Sequence, residues 1–120
     1  MKTDDRGLEH RQSVSRVHHR MGAKNNPALF SLLAETFKTL GDYSRVQIVW
    51  VLSQGEFSVG EVARLLGMSH SLVSHHLRTL RNLKLVKIRR EHRKIFYALD
   101  DKHISHLLDE GIEHAEDLLQ

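Results

Sequence analysis

The chain has no cysteine, a single proline and no long apolar run. Without cysteine, disulfide frameworks, thiolate zinc clusters, iron–sulfur centres and cysteine nucleophiles are all excluded, which is compatible with a reducing compartment. The longest apolar stretch, Ile48-Val49-Trp50-Val51-Leu52, is far short of the roughly 18 residues that span a bilayer. The first residues, Met1-Lys2-Thr3-Asp4-Asp5-Arg6, lack the apolar core of a signal peptide, so a soluble, cytoplasmic protein is expected. There is no internal repeat. What is present is 120 residues, 40% hydrophobic and 28% charged, enough for one domain with a modest core.

The formal charge of +3 conceals an asymmetry. Residues 60–97 carry nine Lys and Arg against two acids, a balance of +7, whereas residues 98–120 carry seven acids against Lys102, a balance of −6. A basic segment suits phosphate, and an acidic tail suits cations. Ten histidines in so short a chain raise the question of which form sites.

Residues 1–25 are polar and read as a mobile arm or a weak amphipathic helix, and residues 26–120 as the folded domain. Asn26-Pro27 opens a helix whose Leu29, Leu32, Leu33, Phe37 and Leu40 share one face, with Gly41 ending it. Asp42 caps the next, with Val46, Ile48, Val49 and Leu52 inward and Gly55 closing it. Ser58-Val59-Gly60-Glu61 has the spacing of a capping box for a helix that stops at Gly67. Only Met68 separates that Gly from Ser69, which caps a helix from His70 to about Asn82, with Val73, Leu77 and Leu80 inward. Two short helices across a tight turn make a helix-turn-helix pattern. Val86 and Ile88, then Ile95, Tyr97 and Leu99, alternate on either side of Arg90-Glu91-His92-Arg93-Lys94, as in a β-hairpin with a basic tip. Asp100 or Asp101 caps a final helix, about residues 101–119, with an apolar seam of Ile104, Leu107, Leu108, Ile112, Ala115, Leu118 and Leu119. The expected fold is mainly α with a β-hairpin, a winged helix-turn-helix that dimerises through its N- and C-terminal helices.

In that layout the second helix of the pair enters the major groove. His70, Ser71, Ser74, His75 and Arg78 lie opposite its apolar face and can meet base edges. Arg89, Arg90, Arg93 and Lys94 of the hairpin would track phosphates or a minor groove. The serines also fit plain helix capping, as Ser69 does.

The last helix holds Asp101 and His103 at one end and His114 and Asp117 at the other. Carboxylate and imidazole are the ligands of a divalent ion in a cysteine-free site. His103 and His114 share a face but lie about 16 Å apart at ~1.5 Å rise per residue, so one ion cannot bridge them within one helix. Two antiparallel copies close the gap, setting Asp101 and His103 of one chain beside His114 and Asp117 of the other, twice. Gly111 would let the backbones approach. Singly, Asp101 also fits an N-cap, Asp117 a solvated face and each histidine a surface residue. His106 is placed to replace or assist His103, while His10, His18 and His19 are unassigned. A metal-dependent hydrolase is disfavoured by the lack of a helical His-Glu-x-x-His pattern, and by four protein ligands leaving no position for water.

Leu40-Gly41-Asp42-Tyr43-Ser44-Arg45, Ser58-Val59-Gly60-Glu61-Val62-Ala63, Ser69-His70-Ser71-Leu72-Val73-Ser74-His75-His76-Leu77 and Leu83-Lys84-Leu85-Val86 resemble the ArsR/SmtB family of metal-responsive repressors. The resemblance covers about residues 27–119. It implies no enzyme activity but a homodimer that binds a palindromic operator when metal-free and releases it on metal binding. Asp101, His103, His114 and Asp117 look like the zinc-sensing branch, which usually has Glu or His at the position of Asp117. A cysteine site known elsewhere in the family has Phe57 and Ser58 here. Zinc is thus the implied regulatory ligand, with cobalt or nickel, or no metal response, as alternatives. Nickel sensors of the family use a C-terminal histidine extension that this sequence, ending at Gln120, does not carry, so a tetrahedral site is expected.

Overall fold

The computed structural model describes the backbone of residues 2–120. In order these form α1 (Lys2–Ala23), α2 (Pro27–Leu40), α3 (Tyr43–Ser53), α4 (Val59–Leu66), α5 (His70–Asn82), β1 (Val86–Glu91), β2 (Lys94–Leu99) and α6 (Lys102–Leu118). The chain divides into two compact units, Met1–Glu35 and Thr36–Gln120.

In the first unit the polar segment is helical, the second of the two forms expected for it. Its Val14, Val17 and Met21 recur along one side and remain exposed. Asn26 starts α2 as expected, its Oδ1 accepting from Ala28 N at 3.0 Å. The stripe that continues from Leu29 is not buried: Leu29, Leu32, Leu33 and Phe37 are 42–58% exposed. Helical period locates a face but does not supply the surface that covers it.

The second unit owes its shape to three caps. Asp42 Oδ2 accepts from Arg45 N at 3.0 Å at the start of α3. Ser58 and Glu61 form a complete capping box, Ser58 N donating to Glu61 Oε1 at 2.8 Å and Glu61 N to Ser58 Oγ at 3.2 Å. The Ser58 backbone N–H first, and the Ser58 hydroxyl second, hold the Glu61 carboxyl below the usual carboxylate range. Ser69 Oγ accepts from Leu72 N at 3.1 Å. Between α4 and α5, Gly67 takes the left-handed conformation (φ 64°) that ends one helix two residues before the next is capped. The expected closure of α3 by Gly55 does not occur. Gln54 caps the helix in a right-handed conformation, its N–H donating to Val51 O, so no glycine is required.

Ile48, Val49, Leu52, Val62, Val73, Leu77, Leu80, Leu85 and Val86 form one buried cluster. Val46 is only partly buried. Leu77 is 0% exposed at the centre, and its truncation leaves a cavity. Leu77→Ala lowers unfolding free energy by about 2–5 kcal/mol, read from the shift of the urea midpoint at unchanged slope. The hairpin pairs antiparallel with Val86 opposite Leu99, Ile88 opposite Tyr97 and Glu91 opposite Lys94, so only His92 and Arg93 form its tip. A third segment joins it, Phe57 exchanging both backbone hydrogen bonds with Tyr97 at 3.0 and 2.8 Å.

Candidate functional site

The α4–turn–α5 unit and the hairpin present one polar surface. Alternation on α5 separates its sides: Val73, His76, Leu77 and Leu80 are buried, whereas His70, Ser71, His75 and Arg78 are exposed and Ser74 is half-buried. His70 also lines a cleft of about 690 Å³ between α4 and the hairpin, together with Glu61, Arg64, Arg93 and Lys94. Arg64 was not among the residues expected from sequence. Its signal, a lone cation on a short helix, becomes readable only once the hairpin folds beside it.

The hairpin cations separate into two groups. Arg90, Arg93 and Lys94 are exposed, with no ion pair within 4.0 Å among the described residues. Arg89 is engaged: Nε donates to Glu56 Oε2 at 2.9 Å, Nη1 donates to Glu91 Oε2 at 2.8 Å, and the guanidinium lies 4.9 Å from the Phe96 ring centre. These hydrogen bonds, Glu91 first, raise its pKa further. In this conformation its charge is already neutralised, unlike the free phosphate-tracking cation expected. Glu56 lies 33 residues away, so period and composition gave no sign of the pairing.

On α6, Asp101 rather than Asp100 is the N-cap, its Oδ1 accepting from His103 N at 2.9 Å and Ile104 N at 3.4 Å. His103, His106, His114 and Asp117 are all exposed. Among the described residues no three His, Cys, Asp or Glu of one chain lie close enough together to hold a metal. The donor chemistry of each pair, a carboxylate beside an imidazole, suits a divalent cation, but each end supplies only half of a tetrahedral set. The seam of α6 is divided as well. Ile104 and Leu108 pack against the core, whereas Leu107 is 40%, Leu118 72% and Leu119 87% exposed. A groove of about 400 Å³ between α3, the end of α2 and α6 is lined by Phe37, Leu40, Val49, Leu107, Ile112 and Ala115. Gly111 opens onto it with nothing within 4 Å of where a Cβ would stand. Among the described residues no helix is long and apolar enough to cross a membrane.

Three comparisons bear on this arrangement. The family model of the bacterial regulatory proteins of the arsR family matches residues 42–87, from the Asp42 cap to the first strand. The cadmium resistance transcriptional regulatory protein CadC homolog of Staphylococcus aureus is 38% identical, over 91% of this chain and 88% of its own. The transcriptional regulator NmtR of Mycobacterium tuberculosis is 45% identical over 72% of each chain. The transcriptional repressor SmtB homolog of Synechocystis is 35% identical over 94% of this chain and 83% of its own. Among solved structures, the homodimeric winged helix-turn-helix DNA-binding domain of a possible ArsR-family transcriptional regulator from Mycobacterium bovis superposes with TM-score 0.71. It is 30% identical and covers 78% of this chain and 86% of that one. Apo-NmtR superposes with TM-score 0.66 at 41% identity, over 77% of each chain. A winged helix-turn-helix with this degree of identity over nearly its whole length belongs to the ArsR/SmtB family, whose members are DNA-binding transcriptional regulators and not enzymes.

Proposed function

We propose that this chain is a zinc-responsive repressor: a homodimer, cytoplasmic, that holds a palindromic operator when metal-free and releases it when zinc binds between the two α6 helices. The observation that carries this reading is the pair of half-sites on α6, Asp101 with His103 and His114 with Asp117, too far apart to cooperate within one chain. A two-fold axis near residues 108 and 109 sets each pair against its complement, with Gly111 close to the crossing. The sensing of metal as such is supported by the relatives, one of them named for cadmium resistance. The choice of zinc rests on this chain's own donors: with no cysteine, the site offers nitrogen and oxygen, and four such ligands match tetrahedral zinc. Cobalt and nickel accept the same donors and serve as comparison metals in the test.

On the DNA side, His70, Ser71, Ser74, His75 and Arg78 read base edges from the major groove, while Arg90, Arg93 and Lys94, joined by Arg64, hold phosphates. A bound zinc ion supplies cross-links between the two α6 helices. The protein's part is to present the Asp and His atoms, and to prefer, when they are joined, a dimer whose recognition helices miss successive grooves. Only such a difference in affinity between two dimer shapes can move the equilibrium.

The deciding experiment is fluorescence anisotropy with a duplex selected from a random pool by the metal-free chain, first with chelator and then with zinc, cobalt or nickel. Zinc weakens binding by about 5- to 150-fold, corresponding to a coupling of about 1–3 kcal/mol. A change below about threefold removes the claim of metal control. Equilibrium dialysis counts one zinc per chain, and none after His103→Ala or His114→Ala.

A further inference from the structure

Three of the four buried positions of α5 are Val73, Leu77 and Leu80; the fourth is His76, 7% exposed. Its Nδ1 is buried without a hydrogen-bond partner. Its Nε2 stands 4.0 Å from Asp42 Oδ2, beyond hydrogen-bonding range. A leucine would fill such a position with no polar atom left unsatisfied, so an imidazole here calls for a physical account. Asp42 is not free to turn toward the ring, because the same Oδ2 caps α3 by accepting from Arg45 N at 3.0 Å. Arg45 is itself anchored, Nε donating to Thr39 O at 2.9 Å.

The charged and titratable groups facing the ring are therefore Asp42 and Arg45 at the start of α3 and His75 on α5, whose ring centre is 5.9 Å away. Burial disfavours the charged imidazole most strongly; Asp42 opposes this, and Arg45 and His75 add to it, so the His76 pKa lies below its ordinary value.

We propose that His76 is a positioning residue for the recognition helix, its neutral ring letting α5 seat against α3, so that its protonation unseats the helix and weakens DNA binding in acid. The inference rests on the reading of α5 as the DNA-contacting helix. A histidine that titrates lower when seated takes its proton more readily when unseated. The seated state is therefore at full strength above about pH 6.5, the ordinary histidine value, and weakens below it by at most about tenfold per pH unit.

The test compares the full wild-type chain with His76→Gln, in chelator, on one duplex selected from a random pool, between pH 7.5 and 5.5. Any pH dependence shared by both proteins cancels in the ratio of their affinities, so that ratio is the quantity read. The wild type loses at least about threefold relative to His76→Gln across this range. Asp42→Asn keeps a capping side chain but removes the acid that favours the charged ring, and it deepens the loss. Parallel profiles for wild type and His76→Gln overturn the inference while leaving the DNA reading intact. Absence of any sequence-selective binding overturns both. If His76→Gln fails to fold, His76→Met takes its place, and the His76 imidazole is followed by NMR in the wild type. A midpoint at or above the ordinary value overturns the inference, and one below it with the same affinity ratio sustains it.

Discussion

Mixing His103→Ala chains with His114→Ala chains restores zinc binding to about a quarter of the wild-type stoichiometry, although neither variant binds alone. Each variant homodimer lacks one ligand at both sites. In a mixed dimer one site lacks both histidines and the other has all four ligands, because His103 comes from one chain and His114 from the other. Random exchange makes about half of the dimers mixed, and each carries one site instead of two. A site closed within one chain gives no recovery at any mixing ratio. The measurement is dialysis or a zinc-dye competition after subunit exchange, and absence of recovery in dimers shown to be mixed removes the inter-subunit site. Cobalt adds an independent readout, since a recovered tetrahedral site regains its ligand-field absorption.

The second large effect is on DNA selectivity. Ser74→Ala combined with His75→Ala lowers affinity for the selected duplex by about 2–6 kcal/mol, at about 1–3 for each directional base contact, and brings it toward the level of unrelated DNA. Zinc stoichiometry stays unchanged, because both residues lie on α5 and the ligands on α6. Loss of both properties together indicates misfolding instead. Arg93→Ala with Lys94→Ala behaves differently, weakening binding to every sequence and lowering the slope of log affinity against log salt by about 2. Arg89→Ala leaves that slope nearly unchanged, since its guanidinium is already held by Glu56 and Glu91. A slope change equal to that of Arg93→Ala would show that Arg89 leaves its partners for phosphate.

Local rules made much of this protein legible from its sequence. The capping box at Ser58 and Glu61, the left-handed Gly67 and the Ser69 cap are short-range hydrogen bonds and torsions, readable within four residues. The α5 period put Val73, Leu77 and Leu80 inside, and strand alternation located the hairpin. Charge separated the basic segment from the acidic α6. Tertiary structure decided everything that depends on a distant partner. The pairing of Arg89 with Glu56, the joining of Phe57 to Tyr97, and the burial of His76 beside Asp42 bring together residues that no period links. The exposure of Leu29, Phe37 and Leu118 belongs to the same class, because a stripe in sequence states which side is apolar and not what covers it. The seven-glycine, cysteine-free sequence by itself determined the order of elements and the donor chemistry open to a metal. Folding decided which charges remain free to meet DNA and which histidine is withdrawn from water, because desolvation and pairing depend on neighbours in space.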